Sequence, residues 1–188
     1  MKTGTKSLLF GVHQFIWHPV TVFLAWHELY GFPNWKELVC IIIHDWGYWG
    51  SPNMDGAEGE RHPEFAANLA LKYLDHPTVE NDLDSHYYAL CLFHSRHYAK
   101  RNFNATPSKL CWADKLSIKY DPWWFYLPRA WLSGELKEYR ALHAGMGEDF
   151  KTHREWYFWA SERAIKMGAA QNSQGISFHP DPNKRGES

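Results

Sequence analysis

The sequence predicts an all-α protein built as one domain. Apolar residues recur at helical spacing along most of the chain, and Gly, Pro and Asn separate these stretches. The length of 188 residues suits one domain, since domains commonly run to ~100–200 residues. We expect the folded domain to span residues 1–168, and the polar residues 169–188 to form a disordered tail.

Two helices are predicted in the first quarter of the chain. One covers Val20–Tyr30, and the other covers Trp35–Trp46, with Asn34 as a candidate N-cap and Gly47 as a terminator. The run of three isoleucines at 41–43 is also compatible with a buried strand. Helix is favoured because this run continues a pattern that begins at Trp35.

The rest of the chain is also predicted to be helical. The segment 48–61 is rich in Gly, Pro, Asn and Asp and is expected to be a loop. Two prolines in 121–132 predict short or broken helices there. The other helices are predicted at 63–74, at about 83–100, from Pro107 to about residue 118, and at 148–167.

Composition excludes several classes of protein. The net charge is −1 and no basic stripe occurs, so we expect no nucleic-acid partner. Three cysteines without a CxxC spacing argue against a disulfide framework and a cysteine-ligated zinc site. No signal peptide and no apolar run of about 18 residues is found, which predicts a cytoplasmic protein without membrane association.

The central chemical signal is the pair His44-Asp45 at the end of an apolar helix. Adjacent helical side chains point in different directions, so both reach one ion only near a helix end, which Gly47 supplies. Two polar residues that cap a helix are the simpler interpretation of an isolated pair. Further polar residues beside apolar segments favour a metal site: His18, His62, His94 and Asp114.

The order of four of these residues resembles the HD superfamily of metal-dependent phosphohydrolases. His18 matches the first motif histidine, and His44-Asp45 matches the doublet, followed by Gly47 as in an HD-x-G pattern. Asp114, in WADKL, resembles the last motif aspartate. The resemblance covers roughly residues 12–117. It implies an HD-domain helical bundle with a metal site in its centre, acting on a nucleotide-like phosphoester or phosphoanhydride.

The resemblance also implies the number of metals. His62 in ERHPEFAA and His94 in FHSRHYAK resemble the additional ligands of two-metal HD proteins. Asp45 would then bridge a first site, with His18, His44 and Asp114, and a second site, with His62 and His94. His97 is an alternative to His94. We expect one or two divalent ions, with Fe, Mn, Mg, Co, Ni and Zn all open.

Basic residues beside these ligands are candidate contacts for a small anionic, phosphorylated substrate. Arg61 and Lys115 each adjoin a predicted ligand, Arg96 lies between His94 and His97, and with Asp45 they form the predicted catalytic set. The alternative for Arg61 is a structural ion pair with a carboxylate such as Glu64.

The family pattern does not assign a substrate. Nucleotidases of this superfamily carry a glutamate soon after the HD pair, whereas positions 46–50 here hold no carboxylate; Glu58 and Glu60, in the following loop, are the next glutamates along the chain. The same ligands also suit a diiron HD-type oxygenase acting on a small polar or phosphonate substrate. A non-catalytic HD-fold binding module is the third hypothesis.

Overall fold

The computed structural model describes residues 1–75 and 86–173, and within these ranges every regular element is helical. The all-α prediction is therefore confirmed for this part of the chain. No helix in it is long and apolar enough to cross a membrane. The α-helices are α1 (Thr3–Phe10), α2 (Trp17–Tyr30), α3 (Trp35–Ile43), α4 (His62–Tyr73), α5 (His86–Leu92), α6 (Arg96–Phe103), α7 (Lys109–Leu116), α8 (Trp123–Ser133), α9 (Glu135–Gly145) and α10 (His153–Ser173).

Helix α3 begins at Trp35 as predicted, but it ends at Ile43 rather than at Trp46. The Asn34 side chain accepts hydrogen bonds from the backbone N–H groups of Lys36 and Glu37, and the Glu37 carboxylate accepts one from Asn34, which forms a capping box. The helix ends at Ile43, and a 3-10 turn follows at Trp46–Tyr48. Asp45 has φ −96° and ψ 0°, so the chain bends at the HD pair.

The single helix expected over residues 83–100 is wrong for the residues that the structure describes. Helix α5 ends at Leu92, and α6 starts at Arg96. Ser95 has extended backbone angles, and its hydroxyl accepts a hydrogen bond from the N–H of Tyr98. A serine cap of this kind competes with continuation of the helix. The break places His94 in a bend rather than in a helix.

Two other expectations differ from the structure near the C-terminus. Helix α8 is one unbroken helix despite Pro128, because the carbonyl that Pro128 leaves without a helical partner belongs to Trp124, which is 63% exposed. The final helix starts at His153 and continues through Ser173, so residues 169–173 are helical rather than part of a tail. The remainder of the expected tail lies outside the described residues. Helix α9 was not predicted.

The main hydrophobic core lies between α2, α3, α4, α5 and α7. Trp26 of α2, Ile41 of α3 and Leu110 of α7 are almost fully buried in it. A second cluster joins α8, α9 and α10 around Tyr126, Leu136 and Trp156. Helix α7 packs against both α2 and α10, so it connects the two clusters. Asp114 of α7 therefore lies close to both.

Candidate metal centre

Four of the predicted ligands form one group. His18 belongs to the first turn of α2, His44 and Asp45 follow the end of α3, and Asp114 lies in α7. Nε2 of His18 lies 3.1 Å from Oδ2 of Asp45 and 3.2 Å from Oδ1 of Asp114. Nε2 of His44 lies 3.1 Å from the same Asp45 oxygen and 3.3 Å from Nε2 of His18.

The other two histidines form a second group on the opposite oxygen of Asp45. His62 is the first residue of α4, and His94 occupies the bend between α5 and α6. Their Nε2 atoms lie 3.6 and 3.5 Å from Oδ1 of Asp45 and 2.8 Å from each other. Asp45 thus has one carboxylate oxygen in each group, an arrangement that could bridge two ions.

Backbone carbonyls orient three of the imidazoles. Nδ1 of His44 lies 2.8 Å from the Ile41 carbonyl oxygen, and the corresponding distances are 2.7 Å from His62 to Gly59 and 2.5 Å from His94 to Cys91. A carbonyl oxygen can only accept, so each Nδ1 carries the proton. The Nε2 atoms are therefore the ones left to face Asp45, as in histidines that bind metal through Nε2.

The donor set fits divalent cations. Oδ2 of Asp45 is buried and accepts no hydrogen bond, although two imidazole nitrogens lie 3.1 Å away. Buried polar atoms normally have a hydrogen-bond or metal partner. No described protein group donates a hydrogen bond to this oxygen, and a cation is a partner that fits it. The close Nε2 atoms of His62 and His94 also need a cation between them, because both are acceptors when Nδ1 donates. Imidazole and carboxylate together suit Mn, Fe, Co, Ni and Zn.

The titration behaviour of the first group reflects its burial and its charges. Burial by itself would raise the pKa of Asp45, but the charges of His44 and His13 hold it well below its usual value. Burial would lower the pKa of His44, yet the negative charges of Asp45 and Asp114 raise it to about 10. Burial, followed by repulsion from His94, holds the pKa of His62 well below its usual range. His44 is thus protonated near neutral pH without metal, whereas His62 is neutral.

Metal binding at pH 8 should release at least one proton per chain. His44 holds a proton below its pKa of about 10, and that proton must leave before Nε2 can bind an ion. Metal affinity should accordingly rise as the pH rises toward 10. Calorimetric titration in buffers of different ionisation enthalpy measures the proton count. His62→Ala is the control that should retain the release, and a binding enthalpy that is the same in every buffer would contradict the assignment.

Five of the six predicted ligands, all except the buried His44, line a cavity of about 310 Å³. Its wall includes aromatic and apolar side chains from α8, α9 and α10, among them Tyr126, Trp156 and Trp159. Three basic side chains also line it, namely Arg96, Lys115 and Arg163. Nζ of Lys115 lies 3.6 Å from Oδ2 of Asp114, next to the first ligand group. The cavity therefore combines a potential metal site, cationic groups and an apolar wall.

The structure separates the predicted substrate contacts. Arg96 and Lys115 line the cavity, but Arg61 does not. The Arg61 guanidinium is 69% exposed and donates two hydrogen bonds to Glu64, so its placement favours the structural ion pair. His97 lines the cavity but belongs to neither ligand group, whereas His94 belongs to the second.

Several cavity residues were missed by the sequence analysis. His13 was treated as an ordinary histidine, but it lines the cavity beside His18. Tyr48 is buried, and its ring stacks on His62 at 3.9 Å between centroids. Asp55, rather than Glu58 or Glu60, is the carboxylate of the loop that lines the cavity. Tyr48 directly follows the HD-x-G pattern, which is a local signal for its position near the site. No such pattern adjoins His13 or Asp55.

Comparison with known proteins gave no match, whether to a family model, to a curated protein or to a solved structure.

Proposed function

We propose that this chain is a metal-dependent phosphohydrolase of the HD type. The observation that carries the proposal is the position of Asp45. Its two carboxylate oxygens face two separate groups of histidines, and the cavity that Asp45 lines is also lined by Arg96, Lys115 and Arg163. The order of the ligands along the chain is the order that resembles the HD superfamily.

Each ligand group has an assigned role in this proposal. His18, His44, Asp45 and Asp114 would hold one ion, and His62 and His94 would hold a second that shares Asp45. When bound, divalent cations would supply Lewis-acid activation of water and would offset the negative charge of a phosphoryl group. The carbonyl oxygens of Ile41, Gly59 and Cys91 keep the imidazoles in place.

The basic side chains would bind and orient the substrate. Lys115 lies beside Asp114 and can neutralise a phosphoryl oxygen near the first group, while Arg96 and Arg163 approach from α6 and α10. The Trp156 and Trp159 rings on the wall exclude water and offer apolar surface to the rest of the substrate. A small phosphoester or phosphoanhydride suits this combination of groups.

The activity test uses protein stripped of metal and then loaded with one metal at a time. The metals are Mn, Mg, Co, Ni, Zn and Fe, and the substrates are a phosphomonoester, a phosphodiester, pyrophosphate and a nucleotide. We expect phosphate release that requires metal, stops with a chelator and returns on reloading. No release from any substrate with any of these metals would contradict the proposal and favour a non-catalytic module.

A diiron oxygenase is the second candidate. The observation that favours it is the set of potential ligands. Four imidazoles and two carboxylates, one of them the shared Asp45, suit iron as well as other divalent ions. Oxygen consumption by iron-loaded protein, with small polar compounds or organophosphonates present, separates it from the hydrolase. Turnover with redox-inert zinc or magnesium would exclude it as the explanation of the activity.

Replacing Arg96 or Lys115 with alanine should weaken substrate binding while leaving metal content unchanged. A hydrogen bond to a charged group contributes about 1.5–3 kcal/mol, which corresponds to a rise in KM of roughly 10–100-fold. The matched control is Arg61→Ala, because Arg61 lies outside the cavity in an ion pair with Glu64. An equal rise in KM for the control would show that general surface charge, rather than these two contacts, determines binding.

A further inference from the structure

A fully buried carboxylate lies behind the cavity and belongs to neither ligand group. Glu135, the first residue of α9, is 0% exposed. Its Oε1 accepts a hydrogen bond from Ser7 Oγ at 2.6 Å and lies 2.7 Å from Nδ1 of His13. Its Oε2 accepts bonds from the N–H of Val12 and from Ser133 Oγ. The charge is thereby compensated, as a buried carboxylate requires.

The packing around Glu135 is close. A side chain at Gly11 would overlap Oε2 of Glu135, so the glycine allows the chain to pass directly over the carboxylate. The segment between α1 and α2 is consequently fixed against the start of α9. This fixed segment carries His13 and leads directly into His18.

His13 connects this carboxylate to the metal centre. Its ring packs edge-on against the ring of His18, with centroids 5.1 Å apart, and lies 5.3 Å from the ring of Tyr48. Nδ1 faces Glu135, whereas Nε2 makes no hydrogen bond to any protein group in residues 1–75 and 86–173. Nε2 of His13 is not one of the fully buried side-chain atoms that lack a hydrogen-bond partner. This nitrogen is therefore partly exposed, and His13 is one of the residues that line the cavity.

A purely structural role leaves this second nitrogen unexplained. The bonds from Ser7, Val12 and Ser133 already attach the segment to Glu135 without an imidazole. What the imidazole adds is a rigid ring with one nitrogen on the carboxylate and the other toward the cavity. In other proteins, too, a carboxylate that bonds to one nitrogen of a histidine orients the ring, and the histidine acts through its opposite nitrogen.

We propose that His13 contacts the substrate through Nε2 and that Glu135 is the positioning residue that holds it there. The contact is a hydrogen bond between Nε2 and an oxygen of a phosphoryl group bound beside His18 and Asp45. This inference rests on the proposed phosphohydrolase function, because it takes the bound group to be phosphoryl. It adds a fourth group to the contacts from Arg96, Lys115 and Arg163.

The test uses inorganic phosphate as the probe and the zinc-loaded full chain, with ¹⁵N-labelled histidine. We expect phosphate to shift the Nε2 resonance of His13 while the Nδ1 resonance keeps the signature of its bond to Glu135. The measurement reads the contact directly in the wild-type protein, and it depends neither on turnover nor on a variant that folds.

Variants then separate contact from support. His13→Gln should weaken phosphate binding by about tenfold, the loss expected for a hydrogen bond to a charged group, with metal content unchanged. Ser133→Ala removes a bond to the other Glu135 oxygen from a residue that does not bond to His13, so it should leave phosphate affinity unchanged. Glu135→Gln should broaden or move the His13 resonances and weaken phosphate binding as His13→Gln does.

The outcomes distinguish this inference from the proposed function. If the zinc-loaded wild-type protein binds phosphate and the Nε2 resonance of His13 does not move, the role of His13 is wrong and the proposed function stands. Equal weakening in Ser133→Ala and His13→Gln would also reduce His13 to a structural residue. If the zinc-loaded wild-type protein binds no phosphate, the role of His13 is overturned, whereas the proposed function is decided by the metal-dependent release of phosphate.

Discussion

Replacing Asp45 with alanine should remove both metal ions and reduce turnover to the background rate. Asp45 is the one residue that belongs to both ligand groups, with Oδ2 directed to His18 and His44 and Oδ1 to His62 and His94. Without it, each group keeps its imidazoles but loses the carboxylate they share. Elemental analysis and phosphate release measure the two losses.

Metal-dependent stability gives a second readout for the same variant. An ion at 100 times its Kd stabilises the folded state by about 2.7 kcal/mol, which raises the Tm of a chain of this size by roughly 5–10 °C. The wild-type protein should show this rise on addition of metal, and Asp45→Ala should not. Asp55→Asn is the matched control, since Asp55 lines the cavity without belonging to a ligand group. Wild-type metal content in Asp45→Ala would refute the bridging role.

Replacing Gly47 with alanine should impair the second ligand group. A Cβ at position 47 would overlap the backbone carbonyl of His62, and a helix start cannot move aside as a flexible side chain can. Overpacking of this kind costs about 1–3 kcal/mol or more. Because His62 opens α4 and its ring stacks on Tyr48, the displacement acts directly on a ligand. We expect metal affinity at this group to fall on the order of 10–100-fold, as when the support of a ligand is lost.

Gly145→Ala is the control for the glycine substitution. An added Cβ at this helical position meets nothing within 4 Å, so it should not destabilise the fold and should leave metal content unchanged. Denaturant unfolding and metal titration of the two variants separate a local effect on His62 from a general effect of the methyl group. If Gly47→Ala binds two ions with wild-type affinity, the close approach of Gly47 to α4 is not what positions His62.

The residues of the two His/Asp groups could be singled out from the sequence because they lie beside local signals. His44-Asp45 ends an apolar run before a glycine, His62 follows a Gly-rich loop, and Asp114 lies within an apolar helix. Their order supplied the resemblance on which the two-site arrangement rests. The capping box at Asn34 was likewise visible as a local pattern, and the structure contains it.

The missed features depend on contacts between distant parts of the chain. His13 and Glu135 are 122 residues apart, and neither residue type nor spacing indicates that they meet. The apolar spacing predicted one continuous helix through Ser95, but the helix is interrupted there. The interruption places His94 in the bend beside Asp45. Arg61 looked equivalent to Arg96 in sequence, since both lie within two residues of a predicted ligand. Only the fold shows that Glu64 pairs with one of them while the other lines the cavity.

The most direct test of this account is the number of metal ions bound per chain in the wild-type protein and in two single variants. Elemental analysis after loading and desalting should give two ions for the wild type. It should give one each for His62→Ala and His94→Ala, because the group of His18, His44, Asp45 and Asp114 remains intact. A wild-type protein that saturates at one ion would contradict the bridging arrangement, and a protein that binds none would contradict the metal centre as a whole.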